Sequence, residues 1–247
     1  MLFKRKLTLC LFAINTCLLG AAAPPEMVKQ EAPEEEVSVQ APLLEKRVTA
    51  SLGVMNTLEP WWDDRKEDPK ERQDRFTQLT QAQWDVVDEL TCTGSYANAD
   101  DHQESDGPLC VVQFPGKKEH LVTMLMTAGF WESRFSRRIQ AGDCKEGECD
   151  GGRARSVYQV QNNGTFPSEL WENAEGLDWD STRSATKASA LTLSAAYRAC
   201  AKTHRTNVVR AVFSAYARGT CTTNIHGVKR SSWYDRRLAL LNKNLEE

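Results

Sequence analysis

The chain has no basic excess. Its 31 Lys and Arg are outnumbered by 34 Asp and Glu, for a formal net charge of -3. A domain that grips nucleic acid carries a basic patch or stripe, so no nucleic acid is expected as a partner. Paired Cys-x-x-Cys spacing is also missing, and His102, His120, His204 and His226 fall at no metal-ligand spacing, so neither a metal nor any other cofactor is expected. No segment repeats, and strand signals are sparse. The apolar run Leu7 to Leu19 is too short to cross a bilayer comfortably, so no stable membrane span is expected in the mature chain.

That short run still carries information. Lys4, Arg5 and Lys6 precede it, and Gly20 with Ala21, Ala22 and Ala23 follow it, the order of a secretory signal peptide over residues 1–23 cut near Ala22. A retained anchor is the competing reading, because Pro24 and Pro25 crowd the cleavage site. Ile14, Asn15 and Thr16 make a poor lipidation context for Cys17. Export to the periplasm or the exterior makes paired thiols the default fate of cysteine. Six remain after the signal: Cys92, Cys110, Cys144, Cys149, Cys200 and Cys221. Six cysteines allow fifteen connectivities. Proximity favours Cys144 with Cys149, Cys92 with Cys110, and Cys200 with Cys221.

Residues 24–73 read as an acidic, Pro-rich tether and linker. The stretch to Lys46 holds Glu34, Glu35 and Glu36 in a row and no aromatic residue, a composition that cannot build a core. Trp61 and Trp62 stand beside a charged run from Asp63 to Arg72 that is expected to be solvated. From Asp74 onward, Phe76, Leu79, Val86, Val87 and Leu90 recur at helical spacing behind a candidate Asp cap. Further helices are expected over 119–130, 185–203 and 207–216. Gly, Ser, Asn and Asp mark loops over 92–110 and 144–155. The fold class expected is mainly α: one disulfide-stapled helical domain over 74–247, behind a signal peptide and a disordered tether, and a monomer.

The chemistry-bearing segment is Ala128-Gly129-Phe130-Trp131-Glu132-Ser133-Arg134-Phe135, a carboxylate at the end of an apolar helix after two aromatic residues. Desolvation there disfavours the ionised form, which suits a carboxyl group that must give a proton to a glycosidic oxygen near neutral pH. Taken alone, a Glu at a helix end is more often a solvated or capping residue. Two later segments follow in order: Ala154-Arg155-Ser156-Val157-Tyr158-Gln159-Val160 and Ala215-Tyr216-Ala217-Arg218-Gly219.

Together these three segments resemble the lytic transglycosylases. In that family a Glu-Ser-x-x-Phe-like start, a Gly-Leu-Met-Gln stretch and an Ala-Tyr-Asn-Ala-Gly stretch line one cleft of a lysozyme-like domain. Glu132 and Ser133 match the first, with Phe135 slightly displaced. Val157, Tyr158 and Gln159 match the second, with Ser156 where glycine is usual. Ala215, Tyr216 and Gly219 match the third, with Ala217 for asparagine and Arg218 for alanine. The likeness spans about residues 119–241.

The resemblance implies that Glu132 is the general acid and base that cleaves the β-1,4 bond between N-acetylmuramic acid and N-acetylglucosamine in peptidoglycan. Ser133, Ser156, Tyr158, Gln159 and Tyr216 are the substrate-binding residues it implies. A Gln within an apolar Val-Tyr-Gln-Val run needs partners for its amide, which suits contact with an N-acetyl sugar. Tyr216 reads equally as a partner of the carboxyl or sugar and as a core aromatic with a satisfied hydroxyl. Attack by the sugar's own C6 hydroxyl gives a 1,6-anhydro end, and attack by water makes the enzyme a muramidase assisted by a second acid, for which Asp143, Asp150 and Asp178 are available.

A peptidoglycan-binding module without activity is a further reading, motivated by the departures from the motifs. A secreted regulatory or inhibitor protein would account for the cysteines and not for the motif order. Asn163-Gly164-Thr165 fits a glycosylation acceptor or a turn. Arg236 and Arg237 either meet peptide-stem carboxylates or sit on a solvated terminal helix.

Overall fold

Apolar residues in this chain recur at helical rather than strand spacing, and a mainly α-helical fold results. The structure, a computed structural model, describes residues 36–59, 62–90, 118–162 and 167–247. The expected signal peptide, the Cys92 and Cys110 pair, Trp61 and the Asn163 acceptor lie outside the described residues. So does the tether before Glu36.

Helix α1 spans Glu36–Met55, a short 3-10 helix covers Trp62–Lys66, and α2 follows over Pro69–Leu90. Next come α3 (Lys118–Ser133), the single turns α4 (Arg137–Gln140) and α5 (Cys149–Gly152), and a two-residue antiparallel pair, β1 (Ala154–Arg155) with β2 (Val160–Gln161). The short α6 (Ser168–Glu172) leads to three long helices: α7 (Trp179–Ala201), α8 (Val208–Arg218) and α9 (Ile225–Glu246). Disulfides Cys144–Cys149 and Cys200–Cys221 are formed as proximity suggested. No described helix is long and apolar enough to cross a membrane.

The centre of the fold is α3. Every residue from Leu121 to Phe130 is buried, because Leu121, Val122, Met124, Leu125, Met126 and Ala128 leave no polar face, and α2, α7 and α9 pack around it. Trp84, Phe76, Leu193, Phe213 and Trp233 complete the same core.

Three expectations need correction here. From Glu36 onward the supposed tether is helical, and Ala50, Val54, Met55 and Leu58 enter the core. Arg47 pairs with Asp88 at 3.1 Å, and Trp84 Nε1 donates to Ser51 Oγ at 2.9 Å, fixing α1 on α2. Composition hid what spacing carried: Leu44, Val48 and Leu52 recur every fourth residue and lie against the core.

The charged run is solvated at Arg65, Lys66, Asp68, Lys70 and Glu71, but not at Asp64 and Glu67. The Glu67 side chain is 3% exposed and takes a two-pronged bond from Arg75, Nε to Oε1 and Nη2 to Oε2, both at 2.9 Å. Arg75 Nη1 then donates to the Phe135 carbonyl at 2.7 Å, and the Arg137 amide donates to Asp64 Oδ2 at 3.1 Å. This buried network clamps the chain just past Glu132.

Lastly, α2 starts five residues before Asp74. Asp68 Oδ1 accepts from the amides of Lys70 and Glu71, and Pro69 occupies the first helical position, where its missing N–H costs nothing.

Candidate active site

Glu132 lies on the last turn of α3. That helix ends because Arg134 and Phe135 both adopt left-handed backbone conformations, φ 53° and 54°. The reversal folds the Phe135 ring back onto Gly129 and edge-on to Phe76, ring centres 6.0 Å apart. The Glu132 side chain is held 20% exposed beside a buried core.

The three motifs meet. Ser133 Oγ donates to the Val157 carbonyl at 2.7 Å, with the Gly129 carbonyl as the alternative acceptor at 3.2 Å, tying the end of α3 to the turn between β1 and β2. Tyr216, on α8, donates its hydroxyl to the Tyr158 carbonyl at 2.8 Å and pairs with Ser189 Oγ at 3.2 Å. Glu132 and Tyr216 lie close enough that the carboxylate, second to burial, pushes the phenol's pKa up.

The roles of several residues differ from expectation. Tyr158 is fully buried. Its hydroxyl accepts from Gln83 Nε2 at 3.1 Å and pairs with Thr186 Oγ1 at 3.3 Å, so this ring is core and not a substrate contact. Ser133 and Ser156 are buried as well. Ser156 Oγ accepts from the Tyr158 amide at 3.2 Å, and its φ of 62° is a left-handed conformation that favours glycine. Both serines position backbone rather than sugar. Gln159 is half-buried, and its amide closes its own turn by donating to the Ser156 carbonyl at 2.8 Å. Of the two readings of Tyr216, the satisfied hydroxyl is the one observed.

One member of the site was not read from the sequence. Arg230, on α9, donates from Nη1 to Glu132 Oε1, and its side chain is 7% exposed. Its signal was available: Gly227, Arg230, Ser231 and Tyr234 share one helical stripe, which places a guanidinium on the buried face. Burial pushes the Glu132 carboxyl above its usual range, and Arg230 opposes that as the strongest lowering influence. Asp150 adds a smaller upward push.

The candidate second acids therefore separate. Asp150, an exposed residue on α5, is near enough to act on Glu132, and its carboxylate accepts from Gln161 Nε2. Asp178 caps α7 by accepting from the Ser181 amide at 2.9 Å, which holds its carboxyl below the usual range. Asp143 lines a groove of about 660 Å³ with Asp64, Glu67 and Lys145. A second groove of about 340 Å³ lies at the start of α8 beside Tyr197 and Tyr234. Glu132 lines neither groove.

Of the arginines considered at the terminal helix, Arg237 donates to Thr57 Oγ1 at 2.8 Å and covers the Trp233 ring, and Arg236 is exposed. Trp131, half-buried next to Glu132, has an indole N–H with no hydrogen-bond partner among the described residues. The described residues hold no cluster of three or more His, Cys, Asp or Glu able to bind a metal ion. No family model, no curated protein and no solved structure matches this chain.

Proposed function

We propose that this protein is an exported peptidoglycan lytic transglycosylase with a lysozyme-like domain, in which Glu132 is the general acid and base. The observation that carries the reading is the meeting of three sequence-distant motifs at a desolvated carboxyl: Ser133 on Val157, Tyr216 on Tyr158, and Glu132 beside Tyr216. The half-buried Trp131 ring beside Glu132 offers an aromatic surface of the kind that packs against a sugar. Two disulfides fit an oxidising compartment.

In the reaction, the Glu132 proton passes to the oxygen leaving C1 of N-acetylmuramic acid as the C1–O bond breaks. The resulting carboxylate then takes the proton of the same sugar's C6 hydroxyl as that oxygen bonds to C1, so Glu132 regains its proton and no water is consumed. Asp150 motivates a second reading. A second carboxyl group near Glu132 can direct a water to C1, which makes the enzyme a hydrolase.

Mass analysis of fragments released from peptidoglycan by the purified chain decides. Anhydro ends support the transglycosylase, and reducing ends support the Asp150-assisted muramidase. Glu132→Gln is expected to abolish release while retaining binding to the wall. Wild-type protein that binds without releasing fragments would leave a binding module in place of the enzyme.

A further inference from the structure

A buried guanidinium bonded to the proposed catalytic acid poses a chemical difficulty. A hydrogen bond from Arg230 favours the ionised form of Glu132, and that form has no proton to give. Opening the pair is costly on its own, because it strands a cation that is almost wholly out of water. Another anion has to replace Glu132 on Arg230.

Three observations favour such an exchange. Glu132 is the more exposed partner, 20% against 7%, so the pair is reached from solvent through Glu132. Arg230 Nε is buried with no hydrogen-bond partner among the described residues, so the guanidinium is incompletely satisfied in its pair with Glu132. A planar fork of this kind takes a carboxylate with two parallel bonds, whereas Glu132 receives one from Nη1. The other charged or titratable groups acting on Glu132 and Tyr216 are Asp150 and Tyr158, and neither offers a cation to compete for an incoming anion.

We propose that Arg230 is a specificity residue that accepts a carboxylate borne by the glycan strand beside the scissile bond, releasing Glu132 to act as the acid, so that acidic strands are cleaved in preference to neutral ones. The inference rests on the glycan-cleaving reading. No covalent step is added: one carboxylate replaces another on the guanidinium, and Glu132, left in a desolvated position without its cation, takes a proton from solvent. Strands of N-acetylmuramic acid supply this carboxylate from the lactyl group when the peptide is removed, or from the peptide stem when it is present. A chitin oligomer supplies none.

The test compares kcat/KM on three probes: peptide-free strands, strands with stems, and chitin oligomers of equal length. Wild-type protein is expected to prefer one or both acidic probes by about tenfold or more, and which of them it prefers identifies the carboxylate. Arg230→Gln is expected to bring the acidic and neutral probes within about twofold, with Arg230→Lys intermediate because it keeps the charge and loses the fork. A purely structural Arg230 would instead lower all three probes together.

Equal wild-type rates on acidic and neutral probes overturn the inference while leaving the enzymatic reading intact, and they do so even where Arg230→Gln fails to fold. Where wild type cleaves no probe, the enzymatic reading fails. Equilibrium binding of the same probes then judges Arg230, with equal affinity for acidic and neutral oligomers overturning its role.

Discussion

The ring of Phe135 occupies the space into which a side chain on Gly129 would grow. A Cβ built on Gly129 would lie 2.2 Å from Cε1 and 2.6 Å from Cζ of that ring. Phe135 cannot retreat, being 1% exposed and set edge-on against Phe76. Gly129→Ala would gain about 1 kcal/mol in helix propensity, but the overpacking costs about 1–3 kcal/mol. Because 2.2 Å is far inside contact distance, the clash is expected to win. Net destabilisation in urea unfolding, together with reduced activity as the chain past Glu132 shifts, is the expected outcome. A variant as stable as wild type would mean that Phe135 does not pack here.

Tyr216 holds the turn between β1 and β2 through the Tyr158 carbonyl, and it acts on the Glu132 carboxyl only through space. Tyr216→Phe leaves that carbonyl without its side-chain donor, at a cost of about 1–3 kcal/mol. As a positioning residue it should affect kcat more than KM, since the turn that carries Gln159 loses its anchor. An unchanged kcat with a raised KM would point instead to direct contact of the hydroxyl with sugar.

How far the sequence discloses this arrangement follows from the period of each signal. The helices α2, α3, α7 and α8 were legible because their apolar residues recur at the helical period, and Glu132 was legible because two aromatic residues precede it on an apolar helix. Glu67 and Arg75 were not, because a charged run reads as solvated unless its long-range partners are known, and Phe135 lies 60 residues from Arg75. The sequence singles out Ser133, Ser156 and Tyr158 as substrate contacts, whereas the structure buries all three. Whether a hydroxyl faces sugar or a backbone carbonyl depends on contacts 24 residues away, as between Ser133 and Val157.

The Cys200–Cys221 bridge joins the end of α7 to the segment between α8 and α9, with a sequence separation of 21. In the chain-entropy account, closing a loop of this size stabilises the fold by about 3 kcal/mol. The double variant Cys200→Ala, Cys221→Ala is expected to lose about that much in chemical unfolding. The effect should reach the site, because α8 carries Tyr216 and α9 carries Arg230. A loss well below 1 kcal/mol would indicate that α7, α8 and α9 already hold one another without the covalent link.

The Glu132 carboxyl should govern how both stability and activity depend on pH. Burial raises its pKa despite Arg230, so the native protein keeps this proton at pH values where the unfolded chain has released it. Over that window the native state binds more protons than the unfolded one. Stability from this group is therefore complete below the ordinary carboxylate range and is lost as pH rises through the native value. Glu132→Gln should remove this component, flattening the difference in unfolding free energy between acid and neutral pH. Activity that needs the protonated acid should fall on the alkaline side of the same transition. Arg230→Gln removes the strongest influence holding the pKa down, so that limb should move to higher pH. A limb that stays in place in Arg230→Gln would show that the group titrating in the rate profile is not Glu132.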